Sequence, residues 1–304
     1  MSTEQKEKNE PQGNADQSER EKQIQEQQRI LKARMEKIVH KIAIISGKGG
    51  VGKSLVTVNL AVAFSLHDHN HKVGILDADI HGPCVPKMLG MQGKRLPVGP
   101  PGAFPAEGPL GIQVVSMDFL LGDETPVIWR GPLKMSAIRQ LLSDILWGEL
   151  EFLLIDLPPG TGDEPLTVMQ LLPEMDGVVI VTIPSEVSQR VVKKAVTFAK
   201  QLKIPIIGII ENMSGFVCPT CGTAVEIFNS GGGEKIAKEM NIPFLGKIPI
   251  DPKISEDSDA GKPFILRHPD TSAAKAFKEI VKNIEDYLKS TIKTKTPLGE
   301  IQED

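Results

Sequence analysis

The sequence predicts an α/β fold on a doubly wound, mainly parallel sheet. Three observations carry this expectation. Short runs that are apolar on both faces recur along the chain, as strands covered on both sides require. Helical patterns lie between most of them, and alternating strand and helix implies crossover connections. The first apolar run, Ile42-Ala43-Ile44-Ile45, feeds a glycine-rich loop that opens a helical stretch, Leu55 to Phe64.

Taken in order, residues from Met1 to about Arg20 are polar and nearly free of apolar side chains. Such a composition cannot repay the entropy of ordering, so 1–20 is expected to be a disordered tail. Residues 21–39 read as a helix, with Ile24, Leu31, Met35 and Ile38 on one narrow face that packs on the body. The body spans 40–289. Its expected strands are Lys41–Ser46, Lys72–Asp77, Ile112–Ser116, Phe152–Asp156, Gly177–Thr182, Pro205–Glu211 and Phe244–Ile248. Met135–Leu146 and Ser188–Leu202 read as helices, and Gly90–Gly111, rich in Gly and Pro, as an irregular excursion. Ala273–Lys289 is amphipathic through Phe277, Ile280, Ile284 and Leu288, and reads as a closing core helix. Residues 290–304 read as a loose tail.

Bulk properties exclude several classes. Net charge is −4 and aromatics are 4%, so neither a basic footprint nor a stacking platform for nucleic acid is expected. No apolar run approaches the roughly 18 residues of a membrane span, and the start lacks the apolar core of a secretory signal. Three cysteines make no disulfide framework, and a reducing cytoplasm is the expected setting.

The loop Gly47-Lys48-Gly49-Gly50-Val51-Gly52-Lys53-Ser54 fits G-x-x-x-x-G-K-[ST] between a strand and a helix. Its glycines let backbone N–H groups approach phosphate, and the helix N-terminus adds partial positive charge. Lys53 is placed at the β/γ-phosphates of ATP, and the Ser54 hydroxyl at Mg2+. Two acidic signals follow strands: Leu76-Asp77-Ala78-Asp79-Ile80 and Leu154-Ile155-Asp156-Leu157-Pro158-Pro159-Gly160. Asp156 has the form of a Walker B carboxylate holding Mg2+ directly or through water, and Gly160 can sense a γ-phosphate. Position alone does not say whether Asp77 or Asp79 faces the nucleotide.

Cys218-Pro219-Thr220-Cys221 lets two thiolates face one metal. A closed zinc site or a cubane cluster wants four protein ligands. One chain supplies half, and a two-fold homodimer would supply the rest. Iron–sulfur cluster and zinc both remain open by this count. A redox dithiol fits less well, because no thioredoxin-type helix follows. Cys84 reads as a small residue beside Pro83 rather than a ligand, and His67, His69 and His71 as solvated.

Together GKGGVGKS, DADIHGP and DLPPGTGD resemble the deviant Walker A ATPases, the group of MinD, ParA and the nitrogenase iron protein. Trp129-Arg130-Gly131-Pro132, Glu211-Asn212-Met213-Ser214, the cysteine motif, Asp251-Pro252 and Asp259-Ala260-Gly261-Lys262-Pro263 narrow the likeness to the Mrp/ApbC-type iron–sulfur cluster carriers, from about His40 to Leu288. The resemblance implies that Lys48 reaches the partner's nucleotide and Asp79 positions the attacking water. It implies that Asp156 is the second switch aspartate. Asn212 then recognises adenine, with Pro249 to Asp251 close by. It further implies a labile 4Fe–4S cluster bridging Cys218 and Cys221 of two chains, apo iron–sulfur proteins as acceptors, and slow, dimer-dependent ATP hydrolysis. With no cysteine before Cys84, the chain resembles the shorter prokaryotic form, without a second, N-terminal cluster. Competing readings are a MinD/ParA-like positioning switch and a nitrogenase-type electron donor. The former leaves the cysteine pair unused, and the latter has widely separated ligand cysteines.

Overall fold

The computed structural model describes residues 25–67, 72–100, 102–119, 138, 142–218, 221, 223–227 and 230–295. The expected 1–20 tail, Trp129 to Pro132, His69, His71 and half of the expected Met135–Leu146 helix lie outside them.

The elements after the N-terminal helix are β1 (Ile38–Ser46), α1 (Lys53–Leu66), β2 (Val73–Asp77), α2 (Val85–Met88), β3 (Val98–Gly99), β4 (Gly102–Ala103), β5 (Ala106–Glu107) and β6 (Gln113–Ser116). They continue with β7 (Leu150–Asp156), α3 (Asp163–Leu171), β8 (Gly177–Thr182), α4 (Glu186–Gln201), β9 (Ile206–Glu211), β10 (Phe216–Val217) and β11 (Ala224–Val225). The last are α5 (Gly232–Met240), β12 (Phe244–Lys247), α6 (Pro252–Asp259), α7 (Phe264–Arg267) and α8 (Ser272–Lys295).

The main sheet runs β12-β9-β8-β1-β7-β2-β6-β5. Every pair is parallel except β5 with β6. From β1 the chain moves outward one way through β2 and β6, then returns past β1 and continues the other way through β8, β9 and β12. Right-handed crossovers taken in opposite directions put helices on opposite faces, which makes the sheet doubly wound. The order reverses at β1, so the loop after β1 opens into the crevice where such sheets bind ligands. Central strands are buried along their length, as runs apolar on both faces predict. Phe64 of α1 stacks on Phe152 of β7 at 4.3 Å between centroids. α1 packs against α8, and α4 against α5.

Three boundaries differ from expectation. Residues 25–35 are helical, but the helix stops there, and Ile38 and Val39 belong to β1. Ile38 is buried and in register with Leu150, so the sheet takes the residue that helical spacing had claimed. The helix end is held by Lys41, which is buried and donates from Nζ to the Met35 and Ile38 carbonyls at 3.3 and 3.1 Å. At the other end α8 runs to Lys295, through the first part of the expected 290–304 tail. Within Gly90–Gly111 the chain makes the β3–β4 hairpin and contributes β5 to the sheet edge.

Candidate functional site

At the crevice, the loop after Ser46 leads straight into α1, which starts at Lys53. Gly52 has φ 80°, and a Cβ there would sit 2.4 Å from Asn212 Nδ2, so both conformation and space demand glycine. The Lys53 ammonium lies 2.7 Å from Asp156 Oδ1, with 6% of the lysine side chain and none of the carboxylate exposed. Ser54 Oγ donates to Asp156 Oδ2 at 2.5 Å, and Thr57 Oγ1 donates to Oδ1 at 2.8 Å. One turn separates Lys53 from Thr57, so both face the end of β7. The predicted trio Lys53, Ser54 and Asp156 is therefore brought together, and Thr57 joins it. Helical spacing from Lys53 was the signal that could have found Thr57. Lys48 is partly exposed at the loop's start.

Asp77 ends β2 in register with Asp156. It is fully buried and accepts from Ser116 Oγ at 3.1 Å and from the Val85 N–H at 3.3 Å. Burial first, then the neighbouring Asp156 charge, pushes its carboxyl up to about 8, so it holds a proton at neutral pH. Asp79 is partly exposed, and its Oδ1 accepts from the His81 and Gly82 N–H groups, each at 3.2 Å. His81 Nε2 lies 3.0 Å from Glu164 Oε1, joining the loop after β2 to the first turn of α3.

On the other side of the phosphate loop, Asn212 is buried and donates from Nδ2 to the Val51 carbonyl at 2.9 Å. The Ser214 N–H reaches the Ile248 carbonyl at 2.9 Å and the Ile250 N–H reaches Gly215 at 2.8 Å. These bonds set Pro249 and Asp251 beside the Asn212 turn. Asp251 caps α6 by accepting from the Lys253 N–H at 3.0 Å.

The cysteine pair sits at the tip of the antiparallel β10–β11 hairpin. The Cys218 N–H bonds the Thr223 carbonyl at 3.0 Å. Thr223 Oγ1 lies 3.2 Å from the exposed Cys221 Sγ, and this contact is the largest cause holding the Cys221 thiol below its usual range. Among the described residues no group of three or more His, Cys, Asp or Glu could hold a metal ion. Cys84 stands at the N-cap position of α2, where its Sγ donates to the Gly82 carbonyl at 2.9 Å, and burial followed by Asp77 and Asp79 pushes its thiol up. His67 faces Glu285 at 3.1 Å rather than being merely solvated. The sequence reading also gave no role to Glu211. It is fully buried at the end of β9 and accepts from Ser214 Oγ, Gly231 N–H and Gly233 N–H.

Comparison with known proteins bears on the same site. The family model described as NUBPL iron-transfer P-loop NTPase, of the ParA group, matches residues 37–285. The chain is 58% identical over 264 residues to an iron-sulfur cluster carrier protein of Methanocaldococcus jannaschii, covering 86% of this chain and 90% of the relative. It is 46% identical to a cytosolic Fe-S cluster assembly factor NUBP2 homolog of Dictyostelium discoideum, covering 86% and 100%. Among solved structures, a nucleotide-binding protein from Archaeoglobus fulgidus in complex with ADP and with cobalt superposes with TM-score 0.70 at 43% identity, covering 79% and 93%. The MinD protein of Pyrococcus horikoshii with Mg-ADP superposes with TM-score 0.64 at 24% identity, covering 84% and 99%, a likeness of fold. Among the described residues no helix is long and apolar enough to cross a membrane. The family model spans residues 37–285, from β1 to within α8, and the likeness to the Methanocaldococcus relative covers most of both chains, so the chain belongs to the NUBPL iron-transfer P-loop NTPase family.

Proposed function

We propose that this chain is a homodimeric ATPase that carries a labile 4Fe–4S cluster between two copies and passes it to apo iron–sulfur proteins in the cytoplasm. The observation that carries the reading is the pairing of a phosphate loop with half a metal site in one chain. Each copy offers Cys218 and Cys221 on an exposed hairpin, and a second copy completes four thiolates. The low thiol range of Cys221 favours the thiolate that ligates metal. The relatives' printed names, cluster carrier and cluster assembly factor, support iron–sulfur cargo.

For nucleotide, Gly47, Gly49, Gly50, Val51 and Gly52 present backbone amides to phosphate, and Lys53 supplies point charge. Ser54 and Asp156 offer the hard oxygen donors that suit Mg2+. Bound there, Mg2+ would neutralise charge on the β- and γ-phosphates. Asp79 orients a water against the γ-phosphorus. The water oxygen forms the new bond, the β–γ bridging P–O bond breaks, and ADP leaves while the water's proton passes to phosphate or solvent. Lys48 of one copy stabilises the other's transition state, so hydrolysis is slow until two copies meet. Asn212, Pro249 and Asp251 line the adenine side. Nucleic acid and membrane are not partners in this reading.

The test is anaerobic reconstitution with iron and sulfide, followed by ultraviolet–visible spectra before and after adding an apo acceptor. The expected result is a sulfur-to-iron absorption that leaves the carrier and appears in the acceptor. Preferential zinc uptake would point to a structural metal bridging the dimer. No metal uptake with intact ATP-driven dimerisation would point to a MinD/ParA-like positioning switch.

A further inference from the structure

The geometry points to Glu211 as the positioning residue of the cysteine hairpin. The inference rests on Cys218 and Cys221 being the metal site proposed above. The chain leaves the sheet at Glu211, carries the cysteine hairpin, and re-enters helix α5 just after Gly231. A single carboxylate closes this neck. Glu211 Oε1 accepts from Ser214 Oγ on the outgoing side at 2.5 Å and from the Gly231 N–H on the returning side at 2.9 Å. Oε2 accepts from the Gly233 N–H at 2.5 Å, in the first turn of α5. One side chain thereby bonds to both sides of the neck.

Two further observations show that the neck is a built feature. Met213 holds φ 56°, a conformation that costs a side-chain-bearing residue free energy and persists only where its surroundings fix it. Its neighbours do so: Asn212 is bonded to Val51 and Thr182, and Ser214 to Glu211 and Ile248. Phe216, at the base of the hairpin, bridges Ile250. The excursion is thus rooted beside the phosphate loop at one end and on α5 at the other, and the Glu211 carboxylate bonds to both of its sides. Holding the two sides together restricts the directions in which the hairpin can present its thiolates to a second copy. A pre-organised pair binds metal more tightly than one that must be ordered on binding.

Glu211→Gln tests this closely. The amide offers one acceptor oxygen and one NH2, so it must turn a donor toward either Gly231 or Gly233, whose N–H groups cannot reverse. The probe is Co2+, titrated anaerobically into the reduced full-length chain and followed by thiolate-to-cobalt charge-transfer absorption. Fluorescent ATP binding is measured in parallel. Glu211→Gln should bind Co2+ about tenfold more weakly, the low end of what loss of a supporting contact costs a metal site. ATP binding should be unchanged, since Asn212 keeps its own bonds to Val51 and Thr182. Asp176→Asn serves as a control. Asp176 accepts from the Lys41 N–H at the opposite end of the sheet, so its loss lowers stability without touching the neck. It should leave the Co2+ titration as in the wild type. Ser214→Ala, a milder cut at the same carboxylate, should weaken Co2+ by a smaller factor and reads the same contact if Glu211→Gln does not fold. Absent thiolate–cobalt bands in the wild type would sink the metal-site reading and this inference with it. Wild-type bands with unshifted titrations in Glu211→Gln or, failing that, Ser214→Ala would overturn this inference alone, as would an equal shift in Asp176→Asn.

Discussion

Replacing Lys53 by Ala separates the chemical role of the loop from its structural one. The Lys53 ammonium and the Asp156 carboxylate are 2.7 Å apart, and both are buried. Breaking such a pair from one side leaves a buried charge and costs about 3–5 kcal/mol. Asp156 would still accept from Ser54 and Thr57, which argues for the lower end, about 3 kcal/mol. In a chain of this size that is a fall in Tm of about 5 °C. Adding Asp156→Asn removes the orphaned charge, so the double variant should regain most of the loss. The assay is denaturant unfolding of the two singles and the double, with ATP hydrolysis measured on each. All three should fail to hydrolyse ATP, because neither Ser54 nor Thr57 can replace the Lys53 cation at phosphate and Asp156→Asn removes the carboxylate that would hold Mg2+. Normal hydrolysis by folded Lys53→Ala would refute the loop assignment, and losses that simply add in the double would refute the pair's coupling.

Asp79→Ala should still bind ATP but lose hydrolysis; loss of binding first, by fluorescent-nucleotide titration, would assign Asp79 to metal or folding instead. Asp77 carries a folded-state pKa raised to about 8 from 3.8, so its contribution to stability is complete below about 4 and is lost as pH rises through about 8. Metal-free stability measured across that window should fall with rising pH, and Asp77→Asn should flatten the fall; an unchanged slope would contradict a protonated Asp77. Iodoacetamide should modify Cys221 faster than Cys84, since Thr223 lowers one thiol and burial raises the other, and Thr223→Val should slow Cys221 in peptide mass spectra. Leu31→Ala, on the N-terminal helix and buried, should cost about 2–5 kcal/mol in denaturant unfolding, whereas deleting Met1 to Arg20 should leave the midpoint unmoved.

The fold was legible because its strands are unusually uniform. Runs such as Gly177–Thr182 and Ile206–Glu211 are apolar on both faces, and only a covered parallel sheet buries both. Residues local to a motif were equally plain: Lys53, Ser54 and Asp156 meet as their patterns require. What sequence could not resolve were residues answering to two periods or to distant partners. Ile38 lies three residues after Met35 and suits a helix face, yet its pairing with Leu150 decides for the strand. Beyond Leu288 the last turns of α8 carry a single apolar residue, Ile292, too sparse a signal to announce them. Glu211 reads as an ordinary strand end, and only the folded chain brings Gly231 and Gly233 to it across the excursion. Asp77 and Asp79 lie two residues apart, and burial alone assigns the first to the interior.

The claim on which the account turns is that one chain holds half a cluster site. Iron and sulfide per chain, measured with the mass by light scattering on anaerobically reconstituted protein, test it directly. The account predicts one 4Fe–4S cluster per two chains, a dimer stabilised by the cluster through mass action, and loss of both in Cys218→Ser/Cys221→Ser, while Cys84→Ser keeps them. A full cluster in a strict monomer, or one retained by the Cys218→Ser/Cys221→Ser chain, would contradict it.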